Sequence, residues 1–82
     1  MKKREILSDN GPFILVKQTR DHKTWYEIQA FWKWAGKIGE AQENELLSHF
    51  GKPTGRCYGL AWRFWNRNEA LKQYTYATLR WG

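Results

Sequence analysis

Two stretches of the chain interleave flat rings with cations: Ala30-Phe31-Trp32-Lys33-Trp34, and Gly59-Leu60-Ala61-Trp62-Arg63-Phe64-Trp65-Asn66-Arg67. In an extended chain alternate side chains point to opposite faces. The second stretch then sends Trp62 and Phe64 one way, and Arg63 and Trp65 the other. Rings beside guanidinium or ammonium groups are the equipment of single-strand nucleic-acid binding, where bases stack on the rings and cations track the phosphates. Trp, Tyr and Arg also dominate the hot spots of protein–protein interfaces. On this basis the candidate binding residues are Trp25, Phe31, Lys33, Arg56, Arg63, Trp65 and Arg67.

Equipment for catalysis is not visible. His22 and His49 are the two histidines and Cys57 the one cysteine. A structural zinc needs four ligands, typically in close pairs, so no metal is expected. A Cys57 nucleophile needs an adjacent base, and nothing places one. Gly51-Lys52-Pro53-Thr54-Gly55-Arg56 lacks the Gly-Lys-Ser/Thr ending of a phosphate loop. The expectation is a protein without catalytic residues or cofactors.

Charge supports a binding role. The net charge is +6, which bears on partners rather than on fold. Residues 1–33 hold seven Lys or Arg against four Asp or Glu, and residues 51–82 hold six against Glu69 alone. Between them, Glu40, Glu43 and Glu45 outnumber Lys37. A single cysteine fits a reducing compartment. Met1-Lys2-Lys3-Arg4 has the charge of a signal-peptide start, but Ser8-Asp9-Asn10-Gly11-Pro12 interrupts the apolar run that would have to follow. No stretch approaches 18 apolar residues, so no membrane partner is expected and the location expected is cytoplasmic.

The elements that must position these residues follow from periodicity. A chain of 82 residues predicts one small basic domain over 1–82. So small a domain needs bulky side chains to build a core, and six Trp, four Tyr and four Phe supply them. Residues 13–19 are β-branched and apolar and predict a strand. Residues 24–34 alternate, with Tyr26, Ile28, Ala30, Trp32 and Trp34 on one face and Trp25, Glu27, Gln29, Phe31 and Lys33 on the other. That pattern predicts a second strand, joined to the first through a loop at 20–23. Residues 40–50 are helix formers whose Leu46, Leu47 and Phe50 share a stripe, stopped by Gly51 and Pro53. Residues 56–65 read as a third strand. The competing helical reading stacks Tyr58, Trp62 and Trp65, as in a helix-turn-helix. Asn66 and Glu69 have the spacing of a capping box ahead of a helix over 67–80, with Ala70, Tyr74, Ala77 and Trp81 on one stripe.

The expected fold is therefore α+β, with an antiparallel sheet of about three strands and two helices. The expected function is a small binding protein whose basic, Trp-rich surface contacts nucleic acid or a nucleoprotein complex. Size and charge suit a phage or mobile-element regulator. The alternative is a compact inhibitor or adaptor that docks on a protein through an aromatic–Arg hot spot.

Overall fold

The computed structural model describes residues 2–30, 40–55 and 60–81. They form an α+β domain in chain order β1 (Lys2–Asn10), β2 (Phe13–Arg20), β3 (Lys23–Ala30), α1 (Glu40–Phe50), β4 (Leu60–Phe64) and α2 (Arg67–Trp81). The four strands make one antiparallel sheet in the order β1-β2-β3-β4. The expected fold class holds, with one strand more than the periodicity predicted. Leu60–Phe64 is a strand, so the helix-turn-helix reading fails there. Residues 31–34 and 56–59, expected to extend β3 and β4, lie outside the described residues.

The additional strand, β1, occupies an edge. Its residues, Lys-Lys-Arg-Glu-Ile-Leu-Ser-Asp-Asn, show no alternation because, among the described residues, one side of the strand has no neighbouring strand and most of its side chains are exposed. A charged edge also discourages pairing with other chains. The expected turn over 8–12 shrinks to Gly11 and Pro12, because Asn10 already pairs with Phe13. Gly11 sits at φ +62, and positive φ at the first central position is the demand of a type II′ hairpin. The ladder shifts by one residue between Ile6 and Ser8. The bulged Leu7 packs against the core.

The loop expected over 20–23 also tightens to two residues. Asp21 and His22 have φ of 49° and 70°, and Arg20 pairs directly with Lys23. Two consecutive positive φ values mark a type I′ turn, whose twist matches the flanking strands.

Both helices pack on one face of the sheet. Phe13, Leu15, Ile28, Ala30, Leu60 and Trp62 from the strands meet Leu46 of α1 and Ala70, Tyr74, Ala77 and Trp81 of α2 in a single core. Tyr26, Leu47, Phe50 and Phe64 flank it. The stripes expected on both helices are the ones that pack. The expected core group of Ile28, Leu60 and Trp62 forms, and its fourth member, Trp32, lies outside the described residues. Trp62 is central: its ring centroid lies 4.9 Å from that of Phe50, and its indole N–H donates to the Gly51 carbonyl at 3.0 Å. Gly51 itself, at φ +85, closes α1 through its N–H to the Leu47 carbonyl at 2.8 Å, a left-handed helix end.

The second helix starts as its sequence demands. Asn66 Oδ1 accepts from the Glu69 N–H at 3.0 Å, which satisfies an otherwise orphaned helix donor. The reciprocal half of the capping box does not form, because Glu69 Oε1 accepts from Gln73 Nε2 at 3.1 Å instead. At the other end, the Trp81 indole N–H donates to Glu45 Oε2 at 2.8 Å and Arg80 lies 3.0 Å from the same oxygen, tying α2 to α1. The Tyr74 hydroxyl donates to the Phe13 carbonyl at 3.1 Å, tying α2 to β2. Among the described residues no helix is long and apolar enough to cross a bilayer.

Two substitutions test this architecture. Trp62→Ala should lower stability by about 3–5 kcal/mol, because it opens a cavity under Phe50 and removes a buried indole; urea unfolding measures it. His22→Gly should raise stability by about 0.5–1 kcal/mol, since glycine accepts positive φ without the strain that His22 bears; the same titration should show a higher midpoint at unchanged slope.

Candidate functional site

The face of the sheet opposite the helices carries a cleft of about 600 Å³, lined by Lys2, Gln18, Arg20, Asp21, Lys23, Trp25, Glu27, Arg63 and Trp65. Register decides its layout, because residues paired across antiparallel strands stand side by side on one face. Lys2 pairs with Arg20, and Arg20 with Lys23. Three cations therefore form a row across β1, β2 and β3. With strands about 4.8 Å apart, the row spans roughly 10 Å. One step inward, Arg4 pairs with Gln18 and Gln18 with Trp25. Trp65, one residue past the end of β4, continues that row beyond Trp25. A further step inward Val16, Glu27 and Arg63 are aligned.

Aromatic and charged groups in the inner rows lock one another. The Trp25 indole N–H donates to Glu27 Oε2 at 2.7 Å. Gln29 Nε2 donates to Glu27 Oε1 at 3.1 Å, and Arg4 Nη2 reaches over β2 to Gln29 Oε1 at 3.1 Å. The Arg63 guanidinium lies 4.4 Å above the Trp25 ring centre and 4.0 Å from Glu27 Oε2. A cation over an indole contributes about 0.5–2 kcal/mol, more as water is excluded. The Glu27–Arg63 pair adds little where Arg63 faces solvent. Trp25 is 7% exposed and Trp65 62%, with their centroids 6.0 Å apart at an interplanar angle of 58°. Trp25 thus supports the site from below, while Trp65 offers an open ring.

The residues expected from sequence separate into three groups. Trp25, Arg63 and Trp65 meet in the cleft, on the face expected for them. Arg67 is exposed at the first position of α2 and does not line the cleft. Phe31, Lys33 and Arg56 lie outside the described residues. Sequence reasoning missed Lys2, Gln18, Arg20 and Lys23. A two-residue Asp21-His22 turn would have revealed three of these, because it forces Arg20 opposite Lys23 and Gln18 opposite Trp25. It also left Glu27 out of the candidate set, although the alternation already put that residue on the Trp25 face.

Two features of the cleft disfavour the folded protein taken alone. Like charges placed directly opposite one another on neighbouring strands repel, and the Lys2–Arg20–Lys23 row is answered within the cleft rim by Asp21, 3.9 Å from Arg20. Gln18 is 6% exposed, and its Oε1 is buried without a hydrogen-bond partner. Such an orphan acceptor costs about 1–3 kcal/mol.

Comparison with family models, with curated proteins and with solved structures finds no match. The functional reading therefore rests on the geometry of this cleft.

If Gln18 is a stability defect retained in the site, Gln18→Leu should leave thermal stability unchanged or raise it by about 1–3 kcal/mol. A melt that falls by a comparable amount would mean that the amide supports the fold.

Proposed function

We propose that the cleft on the sheet face opposite the helices binds single-stranded nucleic acid, without catalysis. The observation that carries this reading is the juxtaposition of a three-cation row with an exposed tryptophan on the same face, one step further in. Residues two apart on a strand face are separated by about 6.8 Å, a reach that a sugar spans between its phosphate and its base. Phosphates would lie along Lys2, Arg20 and Lys23, which relieves the repulsion in that row. A base would stack on Trp65. Open sheets that present aromatic rings and basic rims suit unpaired strands, because every base has a π-face and every linkage a charge.

The geometry also divides the roles of the cations. Arg63 is held by the Glu27 carboxylate and the Trp25 ring, so it positions the ring platform more than it binds phosphate. Lys2 and Lys23 make no ion pair among the described residues. They are the better phosphate ligands. The single-cysteine composition agrees with a cytoplasmic setting, where such strands are met.

Fluorescence anisotropy with a labelled single-stranded oligonucleotide, run as a salt titration, tests the proposal. Trp65→Ala should weaken binding by about 1–3 kcal/mol while its melting temperature stays near the parent's, since the ring is largely exposed. Lys2→Ala and Lys23→Ala should each flatten the slope of log K against log salt by about 0.7 to 1. Arg63→Ala should weaken binding through a displaced platform with a smaller change of slope. A parent that binds no oligonucleotide at low salt would overturn the reading and turn attention to a protein partner docking on the same ring.

A further inference from the structure

In the polar floor of the cleft, the Trp25 N–H and the Gln29 amide both donate to Glu27, and Arg4 donates to Gln29. Left over are the Gln18 amide and acceptor capacity on Glu27. Gln18 Oε1 has no donor at all. A carboxylate has about four lone-pair sites, and hydrogen bonds from Trp25 and Gln29 occupy two of those on Glu27. Both residues line the cleft, in adjacent rows on neighbouring strands.

We infer that this floor selects a base whose exocyclic amino group stands where uracil and thymine have their C4 carbonyl, adenine or cytosine, over uracil or thymine. The inference rests on the reading of the cleft as a nucleic-acid surface. An amino group carries two N–H donors, one for Gln18 Oε1 and one for the Glu27 carboxylate. A terminal amide torsion is soft, so the Gln18 oxygen turns toward an arriving donor at little cost. The Gln18 Nε2, which makes no hydrogen bond among the described residues, then faces the ring nitrogen beside the amino group, in the manner of a Gln–adenine pair. Uracil and thymine offer carbonyl oxygens where the amino group would stand. These oxygens meet the Glu27 carboxylate, acceptor against acceptor, and only the single N3–H of the base remains to serve the two acceptors. Trp65 stacks on every base alike, so the discrimination belongs to the floor.

The experiment compares labelled dC12 and dU12, which share ring size and differ at the amino or carbonyl position and the adjacent ring nitrogen. The intact protein and its Gln18→Leu variant are titrated with each at one low salt concentration. The parent should bind dC12 about tenfold more tightly than dU12, and Gln18→Leu should bring the two within about twofold, chiefly by weakening dC12. A thermal melt of each protein accompanies the titrations, and Gln18→Met, a second apolar replacement of similar volume, should repeat the result if the leucine variant folds poorly. Equal affinity of the parent for the two strands would overturn the inference and leave strand binding standing. So would a dC12 preference that survives both substitutions. Failure to bind either strand would overturn the strand-binding reading itself.

Discussion

Register in the β2–β3 hairpin is the constraint on which the rest of the molecule depends. It is held by Asp21 and His22, two non-glycine residues in left-handed conformation. Because side chains alternate with a period of two, a slip of one residue would exchange the faces of a strand. With β3 slipped, Ile28, fully buried under the helices, would turn to the cleft side. Trp25 and Glu27 would be driven into the core. The same turn therefore secures the hydrophobic interior and assembles the cation row, since Arg20 and Lys23 are the residues that flank it. Asp and His tolerate this backbone better than most side chains.

The sheet divides its labour by face. The helix side holds the bulk of the apolar burial, and Trp62 joins strand, helix end and core through its ring and its N–H. The opposite side is held by a relay of polar contacts, from Arg4 through Gln29 and Glu27 to Trp25 and Arg63. Each member of the relay is satisfied by the next, which keeps a buried carboxylate and a buried indole N–H from being orphaned. Stability on this side comes with reduced plasticity: the Trp25 ring and the Arg63 fork are already engaged before any partner arrives. Trp65, just past the end of β4, is held more loosely: Arg63 lies 5.6 Å from its ring centre, against 4.4 Å for Trp25, and the ring is 62% exposed.

Local disadvantages in a folded chain concentrate where an interaction with something else repays them. The cation row and the unpaired Gln18 oxygen stand on the same face, in adjacent rows, beside the exposed ring of Trp65. Among the described residues, the core shows no comparable conflict. The helix stripes, the cap at Asn66 and the left-handed end at Gly51 all agree with the elements they belong to. That contrast separates the site from the scaffold more sharply than ring composition does, since rings occur on both faces.

The two helices, the central strand cores and the inward and outward faces of residues 24–30 and 60–65 were legible in the linear order of residues. Each rests on short-range physics: a period of two or of 3.6, a cap three residues before its partner, a glycine that ends a helix. Strand β1 was not legible, because an edge strand buries too little to impose alternation on its residues, and its lysines carry the same charge whether or not they pair. The membership of the site was legible only in part. Trp25, Arg63 and Trp65 follow from alternation, whereas Lys2, Gln18, Arg20 and Lys23 join them only through cross-strand register. Register is a relation between distant segments, set by backbone conformation at two turns, and no single segment contains it. Tertiary structure also decided that both helices pack on one side of the sheet, which left the cleft and its exposed rim on the other, because buried area is gained wherever apolar stripes meet and the stripes alone do not say which face they will cover.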